Sequence, residues 1–331
     1  MKNLIKKMAI ATIALTMFSC SDDDNNSNQP QTIADIAIAG ADFSTLERAL
    51  VRTNLVGTLD GTGSFTVFAP TNDAFNRFFT SISTPSNAIT VENVPVETLR
   101  GILLNHVINE EITSANIPAS VYKNTLSPFS SATGAPTISM FIQKEGGVVT
   151  LNGGLGTTEL PRKGAVVTTA DVDASNGVIH VVNRVIQIPN IVDHAIANPN
   201  FSTLTSLLVA RGLVPTLQQT NTQQNTLAPF TVFAPVNTAF SPAVLGIYNG
   251  LANDDLRTQV LTYHVVSGLN VRANAIPSGN IPTVQGQGFT ITGTAINDAG
   301  SDVNKNIILT DVQCSNGVVH AIDGVLLPSF N

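Results

Sequence analysis

The sequence predicts two tandem copies of one α+β domain behind a short N-terminal leader. Three observations lead there: a ten-residue stretch written twice, three further matches in the same order, and a composition able to fill two cores. "TVFAPTNDAF" at residues 66–75 returns as "TVFAPVNTAF" at 231–240, with eight of ten letters kept. "FSTL" stands at 43 and again at 201, and "LLNHVI" at 103–108 answers to "LTYHVV" at 261–266. Last, "SNGVIHVVNRVIQIP" at 175–189 answers to "SNGVVHAIDGVLLP" at 315–328, so the offsets run from 140 to 165. A period that long marks a duplicated domain, because solenoid repeats run at roughly 20–50 residues. The 331 residues are 43% hydrophobic and 12% charged, which suits two domains of ordinary size.

Residues 1–19 read as a processing signal and stay outside the fold. Lys2, Lys6 and Lys7 precede an apolar run, Met8 to Phe18, that is too short to span a bilayer as a helix. The run ends in "MFSC", with small Ser19 before Cys20. This resembles the lipobox of bacterial lipoproteins, whose cysteine is acylated, and it makes Cys20 the expected lipidation site; an ordinary secretory leader is the alternative. Residues 20–31 continue as "CSDDDNNSNQPQ", with nothing apolar to bury beyond the cysteine, and are expected to be a disordered tether. An acidic run in that place resembles the surface-export signal of Bacteroidetes lipoproteins. The resemblance implies an outer-membrane lipoprotein exposed on the surface, with a periplasm-facing orientation as the alternative. The formal charge of −7 becomes −10 once the three leader lysines are removed. Membrane attachment therefore falls to the lipid rather than to electrostatics. With no basic stripe, nucleic acid is not an expected partner.

Within each copy the elements follow from local chemistry. Thr66–Ala69 is β-branched and aromatic, a buried strand, and Pro70 cannot extend the ladder. Asn72 is expected to cap the helix that follows, with Asp73 favouring its first turn and Phe75 and Phe78 sharing its buried face. Asn237 and Phe240 repeat the cap and the first anchor. "SNG" signals a tight turn whose glycine tolerates positive φ, and the β-branched run after it is apolar on both faces, as in a buried strand. The boxes close at Pro189 and Pro328, and only Asn190 separates Pro189 from the next helix, "IVDHAIAN". The two domains, 32–189 and 190–331, are therefore expected to touch. Length differences fall in two places. The second copy gains seven residues within Gln/Asn/Thr-rich 215–229, and the first is eighteen residues longer between His106 and His180.

These motifs, twice in one order, resemble the FAS1 (fasciclin I) domain family: "TVFAPTNDAF" its first signature box, "NGVIHVVNRVIQIP" its second, with the "YH" region between. The resemblance implies a β-rich α+β fold, each domain a sandwich or wedge of about seven strands with flanking helices. It also implies adhesion or extracellular interaction rather than a shared reaction.

Candidate chemistry is sparse. His106 with His264, and His180 with His320, recur in the boxes and read as buried ties between strands. His194, beside Asp193 on an amphipathic helix, reads as a surface residue. Cys314 stands where the first copy has Ala174, so it is expected to be a small core residue with no disulfide and no thiol chemistry. No nucleophile elbow or phosphate-binding loop is present. "NGGLG" at 152–156 reads as a loop between strands. The acidic residues do not pair up at equivalent places, so no enzyme, metal or cofactor is expected. The remaining partners are an extracellular protein or matrix component, and alternatively a glycan captured for uptake. Absent Trp and only three Tyr favour the first. In relatives the "YH" region is tied to receptor binding, which implies Tyr263 and His264 as binding candidates; Asn105 replaces the tyrosine in the first copy. The extra segment of the first copy adds Tyr122 and Lys123 as exposed binding candidates.

Overall fold

The computed structural model describes residues 30–154, 163–220, 227–301 and 303–330. The leader, Cys20, nearly all of the tether, the end of the 152–156 loop and the heart of the 215–229 gain lie outside the described residues. The first repeat runs α1 (Ile33–Ala39), α2 (Ser44–Arg52), α3 (Val56–Asp60), β1 (Phe65–Pro70), α4 (Asn72–Ile82), α5 (Val96–Leu104), β2 (Val107–Ile108), β3 (Ser120–Pro128), β4 (Thr137–Glu145), β5 (Val148–Leu151), β6 (Ala165–Ala174) and β7 (Gly177–Val182). The second repeats this order: α6 (Ile191–Ala197), α7 (Ser202–Ala210), α8 (Val214–Leu217), β8 (Phe230–Pro235), α9 (Pro242–Gly250), α10 (Asp254–Thr262), β9 (Val265–Ser267), β10 (Asn280–Pro282), β11 (Gly288–Thr292), β12 (Ala295–Asn297), β13 (Lys305–Cys314) and β14 (Gly317–Ile322).

Each repeat has seven strands, with one parallel pairing (β1 with β7, β8 with β14) among antiparallel ones. The first repeat departs from a plain sandwich because β2 pairs with β3 and closes the sheet into a barrel. In the second, β9 and β10 are the ends of an open sheet, and the bond from Val284 N–H to the Val265 carbonyl (2.7 Å) reaches from the segment after β10 toward β9. Each repeat buries two apolar clusters. One lies between helices and sheet, around Leu46, Phe75 and Leu99 in the first copy and Leu204, Phe230 and Val260 in the second. The other lies inside the strands, around Phe68 and Met140 or Phe233 and Phe289.

The strand–proline–helix corner is present in the first repeat: β1 is buried throughout, and Phe75 and Phe78 turn inward from α4. The capping assignment needs correction. Thr71 caps α4, its hydroxyl accepting from Ala74 N–H at 3.3 Å. Asn72 instead reaches across to α2, where no local side chain caps the end: its Oδ1 accepts from Thr45 N–H (2.8 Å) and its Nδ2 donates to the Ala41 carbonyl (3.0 Å). Asn237 does the same for α7, accepting from Thr203 N–H and donating to the Pro199 carbonyl. "FSTL" and the first box thus recur together because one supplies the helix end that the other caps. In the second repeat Asn237–Ala239 is only a 3-10 turn. Pro242 has no N–H and its ring would clash with a carbonyl four residues back, so the chain restarts as α9 under a Ser241 cap.

The "SNG" hairpin has a matching double role. Asn176 accepts from Ile33 N–H at the start of α1 (2.9 Å) and donates to the Leu59 carbonyl at the end of α3 (2.7 Å). Asn316 does the same for Ile191 and Leu217. Gly177 and Gly317 follow with φ of +143° and +157°, and a Cβ on either would collide with the carbonyl oxygen of Phe65 or Phe230. The hairpin also clasps the incoming chain: Ser175 N–H donates to the Gln31 carbonyl, and Ser315 N–H to that of Pro189, both at 2.8 Å. Cys314, at the end of β13, is a free and fully buried thiol whose pKa burial pushes up.

A candidate binding groove between the repeats

Part of the first copy's extra length is built into its sheet. β3 and β4 are nine residues each, against three and five in β10 and β11. Alternation along this pair puts Tyr122 and Asn124 of β3 on one face, opposite Phe141 and Ser139 of β4. That face meets the second repeat. The Tyr122 ring packs on Phe141 (4.9 Å between centroids) and on His194 of α6 (5.5 Å), and its hydroxyl accepts from Asn198 Nδ2 at 3.2 Å. Ser139 Oγ accepts from Gln313 N–H of β13 (3.0 Å) and donates to Asn124 Oδ1 (3.2 Å).

Two expectations fall here. Tyr122 is not an exposed contact residue; both its ring and its hydroxyl are engaged between the repeats. His194 is not on the surface but 1% exposed. The polar side of α6 is the side that docks on the first repeat. Its Asp193 is buried too, closing a capping box with Asn190 and an ion pair with Lys163 at 2.9 Å. Neither ring nitrogen of His194 has a hydrogen-bond partner. Burial drives its pKa down to about 3, an effect that the adjacent Ser139 backbone only partly offsets.

Beside this contact lies an open groove of about 550 Å³. Its first wall carries Asn109, Glu110, Lys123 and Asn124; the opposite wall carries Arg272, Leu309, Thr310 and Asp311. Lys123 therefore borders the groove, but its Nζ is held by Glu110 at 2.7 Å. Arg272 and Asp311 form a second ion pair at 3.2 Å.

Tyr263 and His264 are elsewhere. Tyr263 is fully buried, its hydroxyl donating to the Gly288 carbonyl (2.7 Å) and accepting from Ala299 N–H (3.2 Å). The His264 ring spans two carriers of the core: Nδ1–H donates to the Val260 carbonyl (2.8 Å), and Nε2 accepts from Leu326 N–H (2.8 Å). As folded, neither presents a group to a partner. His106 repeats the pattern between Ile102 and Ile186. Burial pulls both histidines down to about 4, against the favourable bond from the helix carbonyl. His180 and His320 use the opposite tautomer, Nε2–H donating to the carbonyls of Ile112 and Val271 while Nδ1 accepts from Asp171 and Asp311 N–H.

Those two aspartates escaped the sequence reading although they stand at one place in "DVDASNG" and "DVQCSNG". Both hold left-handed backbone, φ +59° and +63°, at a bulge. Asp171 accepts from the amide and hydroxyl of Ser114, bonds that outweigh burial and keep its pKa low. The shared position of a single acidic residue in the two copies is the available signal. Among the described residues, no group of three or more His, Cys, Asp or Glu is placed to hold a metal.

The fold and the groove define a class: a two-repeat protein whose recurring polar residues brace its interior and whose open polar surface lies between the copies. The chain belongs to the Fasciclin domain family, whose model matches residues 41–189 and again 199–328. It is similar to Protein sll1483 of Synechocystis, at 35% identity over 51% of this chain and 83% of that protein. Human periostin is 28% identical over 88% of this chain, which spans 32% of periostin. Among solved structures, a FAS1 domain pair from the insect cell adhesion molecule Fasciclin I aligns with a TM-score of 0.50 and 18% identity, covering 86% of this chain and 97% of that one.

Proposed function

We propose that the chain is an extracellular interaction module, held at the outer membrane by a lipid on Cys20 and facing outward, that binds a protein or matrix component. The observation that carries this reading is the tandem fasciclin pair itself, whose fold is shared with the pair from an insect cell adhesion molecule. The interior engagement of the recurring histidines and asparagines supports a binding role over a catalytic one. The lipobox-like "MFSC" supports the anchor. A second reading, glycan capture for uptake, draws on the uncharged side chains that line the groove. Cells carrying the intact chain should adhere to matrix-coated surfaces better than cells lacking it, and Cys20→Ser should release the protein from membranes and abolish that difference. Equal adhesion with and without the chain refutes the module; unchanged membrane retention of Cys20→Ser refutes the anchor.

A further inference from the structure

The groove has a chemical character that the binding reading leaves unspecified. Its four charges are closed into pairs, Lys123 with both oxygens of Glu110 (2.9 and 2.7 Å) and Arg272 with Asp311 (3.2 Å). A charged ligand would have to open one of those pairs. The groups left for a ligand are neutral. Asn109, Thr137 and Thr310 have no side-chain hydrogen bond within the protein, and Asn124, with Oδ1 taken by Ser139, keeps its Nδ2 free. Amides and hydroxyls that both donate and accept match the hydroxyls of a sugar. Leu126 and Leu309 add partly exposed apolar surface for a ring's C–H face. At about 550 Å³ the groove falls within the roughly 300–1,000 Å³ of small-ligand sites.

A peptide fits less well. Protein partners bind through aromatic or other large anchors that fill desolvated pockets. The apolar cavities at the helix–sheet cores, about 20 and 30 Å³, are too small to receive such an anchor. We propose that the groove binds a neutral oligosaccharide. This rests on the extracellular reading only for where the ligand is met. With the Tyr122 ring already packed, the groove offers no free aromatic platform among its described lining, so a single site binds weakly and many copies on one surface supply the avidity.

The test is saturation-transfer NMR of the full chain in detergent with neutral, anionic and sulfated oligosaccharides at millimolar concentration. Neutral sugars should show transfer. Asn109→Ala and Thr310→Val should each weaken it about fivefold, the loss of one net hydrogen bond, with an unchanged melting temperature. Lack of transfer to any neutral sugar, transfer that both variants leave intact, or transfer to anionic sugars alone overturns the proposal. Binding of a matrix protein that both variants weaken, with no sugar bound, overturns it in favour of a peptide ligand. Adhesion that persists in both variants without sugar binding removes the groove site and leaves the module standing; sugar binding without any adhesion does the reverse.

Discussion

Acid should destabilise this protein well above the pH at which its carboxylates protonate, because of His106 and His264. Each is folded around a neutral ring, with one nitrogen donating to a helix carbonyl and the other accepting from a backbone N–H. In the unfolded chain a histidine takes up its proton near pH 6.5. In the fold burial lowers that to about 4 for both. Between those values the unfolded state binds more protons, so stability is full above about pH 6.5 and falls as pH drops toward 4. Linkage gives a loss of about 2 kcal/mol per histidine at pH 5, reaching about 3 kcal/mol below pH 4. One of these two histidines sits in each repeat, and buried His194, lowered to about 3, adds to the loss in the second over the same window. The carboxylates with lowered pKa values, such as Asp171, act further down in pH. Urea unfolding at pH 8, 7, 6, 5 and 4.5 measures the loss directly. His264→Gln should be less stable at pH 8, yet lose about 2 kcal/mol less on going to pH 5. Unfolding free energies that agree at pH 8 and pH 5, or a decline confined below pH 4, would refute the reasoning.

Phe75→Ala removes a ring that is fully buried and should cost about 3–5 kcal/mol in denaturant unfolding. Asn72→Ala should cost at least as much as Thr71→Ala, about 1 kcal/mol, because it uncaps α2 rather than its own helix; equal stability of Asn72→Ala and wild type would sink that assignment. Tyr122→Ala should cost about 2–4 kcal/mol and split a single calorimetric transition into two as the repeats uncouple.

The duplication and the strand–helix corner of the first repeat were legible because local chemistry sets them: a β-branched run, a proline, a buried phenylalanine every third or fourth residue. The boxed histidines are buried and hydrogen-bonded as their motifs suggest, but His106 and His264 tie a helix carbonyl to the segment after the last strand rather than strand to strand. What failed depends on distant chain. Asn72 looks like a cap, but whether it caps its own helix or α2 depends on where α2 lands. His194 and Tyr122 look polar and available, yet His194 is buried and the Tyr122 ring packs on it across the two repeats. The long β3–β4 pair reads as a loop insertion in a comparison of lengths, since nothing in its own residues says that it extends an interface.

The hairpin clasp on the incoming chain has a mechanical consequence. A pull on residue 30 enters the first repeat at Gln31, where Ser175 N–H and the Asn176-capped start of α1 grip it. The second repeat is gripped by its own equivalent hairpin at Pro189 and Ile191. The chain is thus two like links in series, each loaded at the same point. The bond from Gln313 to Ser139 and the packing of Tyr122 on His194 run beside the second grip and share its load. Under tension the first link, which among the described residues has no such neighbour at its entry, should yield before the second.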